Sequence, residues 1–204
     1  FTSNKHFKNT HTRMMTEGKG IIYKTYQGHE LIDAVSGLFC SPLGHARPEI
    51  AEAVYAQLKE MSYCPPFQHG HPSAFELARR ISQLLPGNLD YIFYGSSGSE
   101  AVETTLKIAL LYHRVKGEGQ RLRLVGREKG YHGSTYLAST VTGKERDKSR
   151  FDIENRLVHF LPDVNPYHRP EKMSVEAWCD QKVSDLENAI KKIGPDKVGA
   201  FIAE

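Results

Sequence analysis

The chain has 204 residues, 39% of them hydrophobic and 25% charged, with a formal net charge of +3. These are the proportions of an ordinary globular protein with one good-sized core, and so mild a positive bias does not argue for nucleic acid as a partner. No apolar run approaches the roughly 20 residues of a membrane-spanning helix, no secretory leader is expected, and the odd, widely separated Cys40, Cys64 and Cys179 make a disulfide framework improbable and a reducing cytoplasm the expected compartment.

In chain order, residues 20–37 ("GIIYKTYQGHELIDAVSG") hold two strand-like runs around a Gln27–Gly28 turn, which predicts a hairpin. Pro48 then opens a helix whose Ile50, Val54, Leu58 and Met61 recur at helical spacing. The loop over residues 63–72 ("YCPPFQHGHP") is stiffened by three prolines. Ser73 and Glu76 have the spacing of a capping box ahead of "FELARRISQLL". A strand is expected over residues 89–94, then a helix with Val102, Leu106, Ala109 and Leu110 on one face and Gly117 as its stop.

Strands are expected over residues 121–126 and 156–161, a helix over 174–193 with Val175, Trp178, Leu186, Ile190 and Ile193 inward, and a last strand in "KVGAFIAE" after the Gly194–Pro195 break. The mixed-sign run 144–150 ("KERDKSR") predicts a solvated loop. Strand and helix alternate from residue 89 onward, the pattern of a mostly parallel sheet flanked by helices, an α/β fold. The chain opens on Phe1 without a Met and stops at the end of a buried strand, so it is expected to be the front part of a longer protein.

Two turns carry the candidate chemistry. "GSSG" (95–98) lies between the strand expected at 89–94 and the mouth of a helix. Small residues there admit an anion to the unpaired amides and positive pole of a helix N-terminus, and the same residues also suit a plain serine-capped helix start. The stretch is neither a Walker loop nor the dinucleotide fingerprint. "GYHG" (130–133) follows the next strand and offers the Tyr131 ring and the His132 imidazole between glycines, or else forms an exposed loop. Side by side, the two turns suit a phosphorylated planar cofactor. His69 and His71 lack companion ligands at a convincing spacing, so no metal site is expected.

The ordered blocks "LIDAVSGLFCSPLGHARPEIAEAV", "PPFQHGHPSAFELA", "PGNLDYIFYGSSGSEAVET" and "GREKGYHGSTYLAST", with the terminal "FIAE", resemble the class III pyridoxal-phosphate aminotransferases of the omega-amino-acid:pyruvate type over nearly the whole chain. The resemblance implies the fold-type I architecture, with residues 1–50 contributing to a small domain and 51–204 forming the first part of the large cofactor-binding domain. It implies pyridoxal 5'-phosphate as cofactor, with Ser97, Gly98 and Ser99 on its phosphate, Tyr131 stacked on its ring with His132 alongside, and Glu204 facing the cofactor site. Phe39, where many relatives carry Trp, and Tyr131 would line the substrate pocket.

The family's pyridinium-binding aspartate and its Schiff-base lysine are expected beyond Glu204, and Lys107, Lys129 and Lys144 do not match that position. The implied substrates are an amine donor and a 2-oxo acid acceptor, and the implied assembly is a homodimer with shared active sites. A class III decarboxylase or racemase, or a non-catalytic fragment, is the alternative reading. The 204 residues alone are expected to be inactive.

Overall fold

The computed structural model describes residues 14–204. The chain divides into two compact units, Phe1–Tyr91 and Ile92–Glu204.

The first unit begins with three short antiparallel strands, β1 (Met15–Lys19), β2 (Ile22–Thr25) and β3 (Glu30–Ile32), in the order β1–β2–β3. β2 and β3 form the expected hairpin, with Ile22 opposite Ile32 and Lys24 opposite Glu30; its turn places Gly28 at φ +84°, a conformation that favours glycine. Helix α1 (Pro48–Glu60) starts on its proline, whose fixed φ and missing N–H suit the first helical position. Helix α2 (Pro72–Ser82) does the same, and this overrides the expected capping box. With Pro72 as the first helical residue, His71 becomes the N-cap and Ser73 lies inside the helix, where its hydroxyl donates to Gln57 Oε1 at 2.9 Å. Glu76 pairs instead with Arg79 and Arg80, which hold its pKa down at about 2.

The second unit is a three-layer α/β arrangement. Its strands β4 (Arg123–Arg127), β5 (Val158–Leu161) and β6 (Val198–Phe201) are parallel and ordered β5–β4–β6, with Leu124 opposite Val158 and Val125 opposite Phe201. Successive strand residues point to opposite faces, and β4 is buried on both. Leu124 packs with Leu106 of helix α3 (Gly98–Val115), Val141 of helix α4 (Tyr136–Val141) and Val158. Val125 packs on the other side with Leu161 and with Ala189 of helix α6 (Val175–Ile193). α6 is capped by the Ser174 hydroxyl and ends at Gly194, φ +100°.

Three local expectations change. Residues 89–94 belong to neither of the sheets formed by the described residues, and Tyr91 and Phe93 are exposed; a strand is stabilised by its ladder. The run 144–150 folds into a one-turn helix, α5 (Glu145–Lys148), and Lys148 is buried with its ammonium 3.9 Å from the centre of the Phe160 ring, so burial lowers its pKa against the weaker opposing effect of Glu145. On α6, Val175 is exposed, and Trp178 donates from its indole N–H to the Val164 carbonyl while Lys182 covers its ring.

Candidate functional site

Helix α3 starts at the first of the two small-residue turns. Ser97 is its N-cap, extended at φ −155°, ψ 160°, and its hydroxyl accepts from the Glu100 amide at 3.2 Å. Glu100 reaches back to accept from the Ser96 amide at 2.7 Å, a reciprocal pair one residue displaced from the usual capping box. The Ala101 amide is satisfied by the Ser97 carbonyl. The amides of Gly98 and Ser99 bond to no other group among the described residues. A side chain at Gly98 would meet nothing within 4 Å, so the Cβ side of that residue is open.

The second turn leaves the carboxyl end of β4 and is stitched to the first. The Ser99 hydroxyl accepts from the Ser134 amide at 3.0 Å, and the Ser99 carbonyl accepts from the Thr135 hydroxyl at 3.3 Å. Gly133 makes this approach possible: at φ +129°, its added Cβ would stand 2.6 Å from the Ser99 hydroxyl and 2.8 Å from the Ser99 Cα. One turn further along α3, Glu103 accepts from the Thr135 hydroxyl at 2.6 Å and from the Leu137 amide at 3.0 Å, so it caps α4.

Tyr131 is half-exposed on this turn. Its amide donates to the Glu204 carboxylate at 2.6 Å, its hydroxyl lies 3.0 Å from that of Ser134, and the Lys144 ammonium is 5.4 Å from its ring centre. His132, beside it, is buried. Its amide donates to the buried Thr142 hydroxyl at 3.0 Å, while its Nε2 is buried with no hydrogen-bond partner among the described residues. Burial lowers the imidazole pKa, and the nearby Glu204 charge opposes that only in part, so the ring is biased towards its neutral form.

Ser97, Gly98, Ser99, Tyr131, His132 and Glu204 are thus gathered in the second unit. Phe39 belongs to the first unit, exposed on the turn Ser36–Phe39. Ser134 and Glu103, which join the two turns, and Thr142, which holds the second turn through the His132 amide, escape a reading of the sequence. Only Glu103 left a signal there: it lies four residues after Ser99, on the same face of a predicted helix.

The family profile described as "Aminotransferase class-III" matches residues 2–204. The chain belongs to the class III aminotransferases. It is 48% identical over 206 residues to an omega-aminotransferase of Caulobacter vibrioides, a match covering 100% of this chain and 46% of that protein. It is 38% identical over 204 residues to a beta-alanine–pyruvate aminotransferase of Pseudomonas aeruginosa, covering 100% of this chain and 45% of that one. Among solved structures, a thermostable (S)-enantioselective omega-transaminase from Thermomicrobium roseum superposes with a TM-score of 0.92 at 29% identity, covering 98% of this chain and 45% of that chain. The omega transaminase of Pseudomonas jessenii in complex with PMP superposes with a TM-score of 0.94 at 25% identity, covering 100% of this chain and 46% of that chain. The chain spans less than half the length of the curated relatives it matches.

Proposed function

We propose that this chain carries the phosphate cradle and ring-stacking surface of a pyridoxal-phosphate enzyme that moves an amino group from an omega-amino acid or other amine to pyruvate or a similar 2-oxo acid. The observation that carries the proposal is the junction of the two turns. Two amides without a partner among the described residues and an open Cβ position at Gly98, at the N-terminus of an 18-residue helix, are tied through Ser99 and Ser134 to a turn that presents an aromatic ring. An anion suits the first part and a planar ring the second.

A capped helix start and a phosphate cradle coexist here. A serine hydroxyl has one donor and two acceptor positions. Ser97 and Ser99 each use an acceptor position within the protein, which leaves their O–H groups to donate to phosphate alongside the Gly98 and Ser99 amides. Tyr131 would cover one face of the cofactor ring and exclude water from it. Glu204, by accepting from the Tyr131 amide, holds that residue in place. The Nε2 of buried His132 has no hydrogen-bond partner among the described residues and would accept one polar group at the site. When bound, pyridoxal phosphate supplies the electron sink for the amine-bearing carbon. The proton-carrying lysine and the pyridinium-binding aspartate belong, on this proposal, to the protein following Glu204. Phe39 and Tyr131 would shape the amine pocket, and the active enzyme would be a cytoplasmic homodimer. Among the described residues no helix is long and apolar enough to cross a membrane.

The test is stoichiometric. The full-length protein, given an amine such as beta-alanine together with pyruvate, should form one alanine for each amine consumed. Release of carbon dioxide without alanine, or interconversion of amine enantiomers without a carbonyl product, would assign the site to a decarboxylase or a racemase instead.

A further inference from the structure

The turn Ser36–Phe39 is built in a conformation that L-residues avoid. Ser36, Gly37, Leu38 and Phe39 have φ of 52°, 59°, 60° and 68°, and three of the four are not glycine. Consecutive left-handed residues are unfavourable, and such a turn persists only where its surroundings over-determine it. Leu38 and Phe39 project from it, 73% and 86% exposed, so their own packing does not hold it.

The restraint lies beneath the turn. The Asp33 carboxylate, whose side chain is only 4% accessible, accepts from the Gly37 amide at 2.7 Å and from the Val35 amide at 3.2 Å. The same oxygen that receives the Gly37 amide lies 2.7 Å from Nε2 of His45. Both residues are anchored to the small sheet. The Asp33 amide donates to the Ile21 carbonyl, and His45 exchanges backbone hydrogen bonds with Gly20 at 2.8 and 3.1 Å. The His45 ring also packs on that of Tyr23, 4.3 Å between centroids. A rigid base therefore holds an almost inaccessible carboxylate, and the carboxylate holds the turn. The turn closes on itself through bonds from the Phe39 amide to the Val35 carbonyl and from the Ser41 amide to the Ser36 carbonyl. A Cβ at Gly37 would meet the Ser41 hydroxyl at 2.9 Å, so the underside is already full.

We propose that Asp33 and His45 are positioning residues which, by locking the left-handed turn, fix Phe39 and so set which amines the enzyme accepts. The inference rests on the reading that Phe39 lines the amine pocket. A locked Phe39 gives the pocket one wall in one place. Once released, the wall relaxes into ordinary backbone conformations and discrimination between compact and bulky amines falls.

The experiment uses the full-length protein loaded with pyridoxal phosphate and compares wild type with Asp33→Ala, His45→Gln and Phe39→Ala. Hydrogen exchange of peptides covering residues 33–41 should accelerate at least tenfold in Asp33→Ala and severalfold in His45→Gln, while peptides of α3 and β4 exchange as in wild type. The ratio of kcat/KM for beta-alanine to that for 1-phenylethylamine should change at least tenfold in Asp33→Ala, mainly through KM, with cofactor retention unaltered. If Asp33→Ala does not fold, His45→Gln decides by the same two readouts. Wild-type exchange over 33–41 in a folded variant overturns the lock. A shifted amine ratio in Phe39→Ala beside a wild-type ratio in Asp33→Ala overturns this inference alone. An unshifted ratio in Phe39→Ala overturns the pocket reading and the specificity role with it.

Discussion

The Ser99 hydroxyl and the Ser134 amide lie 3.0 Å apart, and this contact makes one site of two turns that are far apart in sequence. It sits where a glycine leaves room for it, at Gly133. If the junction builds the site, disturbing it from either side should have separable effects on folding and on cofactor binding.

From the Gly133 side the effect should be structural. An alanine there must adopt φ +129° and place its Cβ inside contact distance of the Ser99 backbone. Gly133→Ala should lose at least about 2 kcal/mol of stability, read as a lower denaturant midpoint. Gly119→Ala, whose Cβ meets nothing within 4 Å, is the matched control and should stay within about 0.5 kcal/mol of wild type.

From the Ser99 side the effect should fall on the cofactor. Ser99→Ala leaves the Ser134 amide without its acceptor and removes the O–H proposed to donate to phosphate. A hydrogen bond to a charged group contributes about 1.5–3 kcal/mol, so pyridoxal-phosphate affinity should fall by roughly tenfold to a hundredfold. Titration of the cofactor absorbance band in the full-length protein measures this directly.

Much of this region is legible in the sequence, for identifiable reasons. The inward face of α3, Val102–Leu106–Ala109–Leu110, follows from spacing alone because a helix repeats every 3.6 residues. The parallel sheet follows from strand and helix alternating along the chain. The capping box at Ser73 and Glu76 misleads because Pro72 starts the helix ahead of it. The strand at 89–94 misleads because an apolar run says nothing about whether another backbone reaches it. The Ser99–Ser134, Glu103–Leu137 and Tyr131–Glu204 bonds span 35, 34 and 73 residues. Only the closed fold brings such partners together.

Tyr131 separates the ring from its hydroxyl. Tyr131→Phe gives up the contact with the Ser134 hydroxyl but keeps the aromatic face, and should retain most cofactor affinity. Tyr131→Ala removes the face. Aromatic contacts contribute about 0.5–1.5 kcal/mol beyond the area they bury, so cofactor dissociation should accelerate severalfold or more. Side-by-side dissociation rates check this; an alanine variant that releases cofactor at the wild-type rate takes Tyr131 out of the site.

His132 should make the protein acid-sensitive. Its buried ring has a pKa below the ordinary value near 6.5. On acidification the unfolded chain therefore takes up a proton before the folded one does, and stability that is full above about pH 6.5 falls as the pH drops through that value towards the lowered one. His132→Gln removes this proton uptake. Denaturant midpoints between pH 8 and pH 5.5 should decline more steeply for wild type than for the variant.

The most direct test of the cradle is Gly98→Val. Gly98 is the first residue of α3, and its Cβ position opens onto empty space, so a valine there should fold with little loss of stability. Its two methyl groups would nevertheless stand where the phosphate is proposed to meet the Gly98 and Ser99 amides. Equilibrium dialysis of the full-length protein against pyridoxal phosphate, with a thermal unfolding curve taken on the cofactor-free protein so that lost binding does not itself lower the melting temperature, measures both properties. A cofactor affinity reduced at least tenfold at unchanged melting temperature is the predicted result. Wild-type affinity in a folded Gly98→Val protein would place the phosphate elsewhere and contradict the proposed function of this turn.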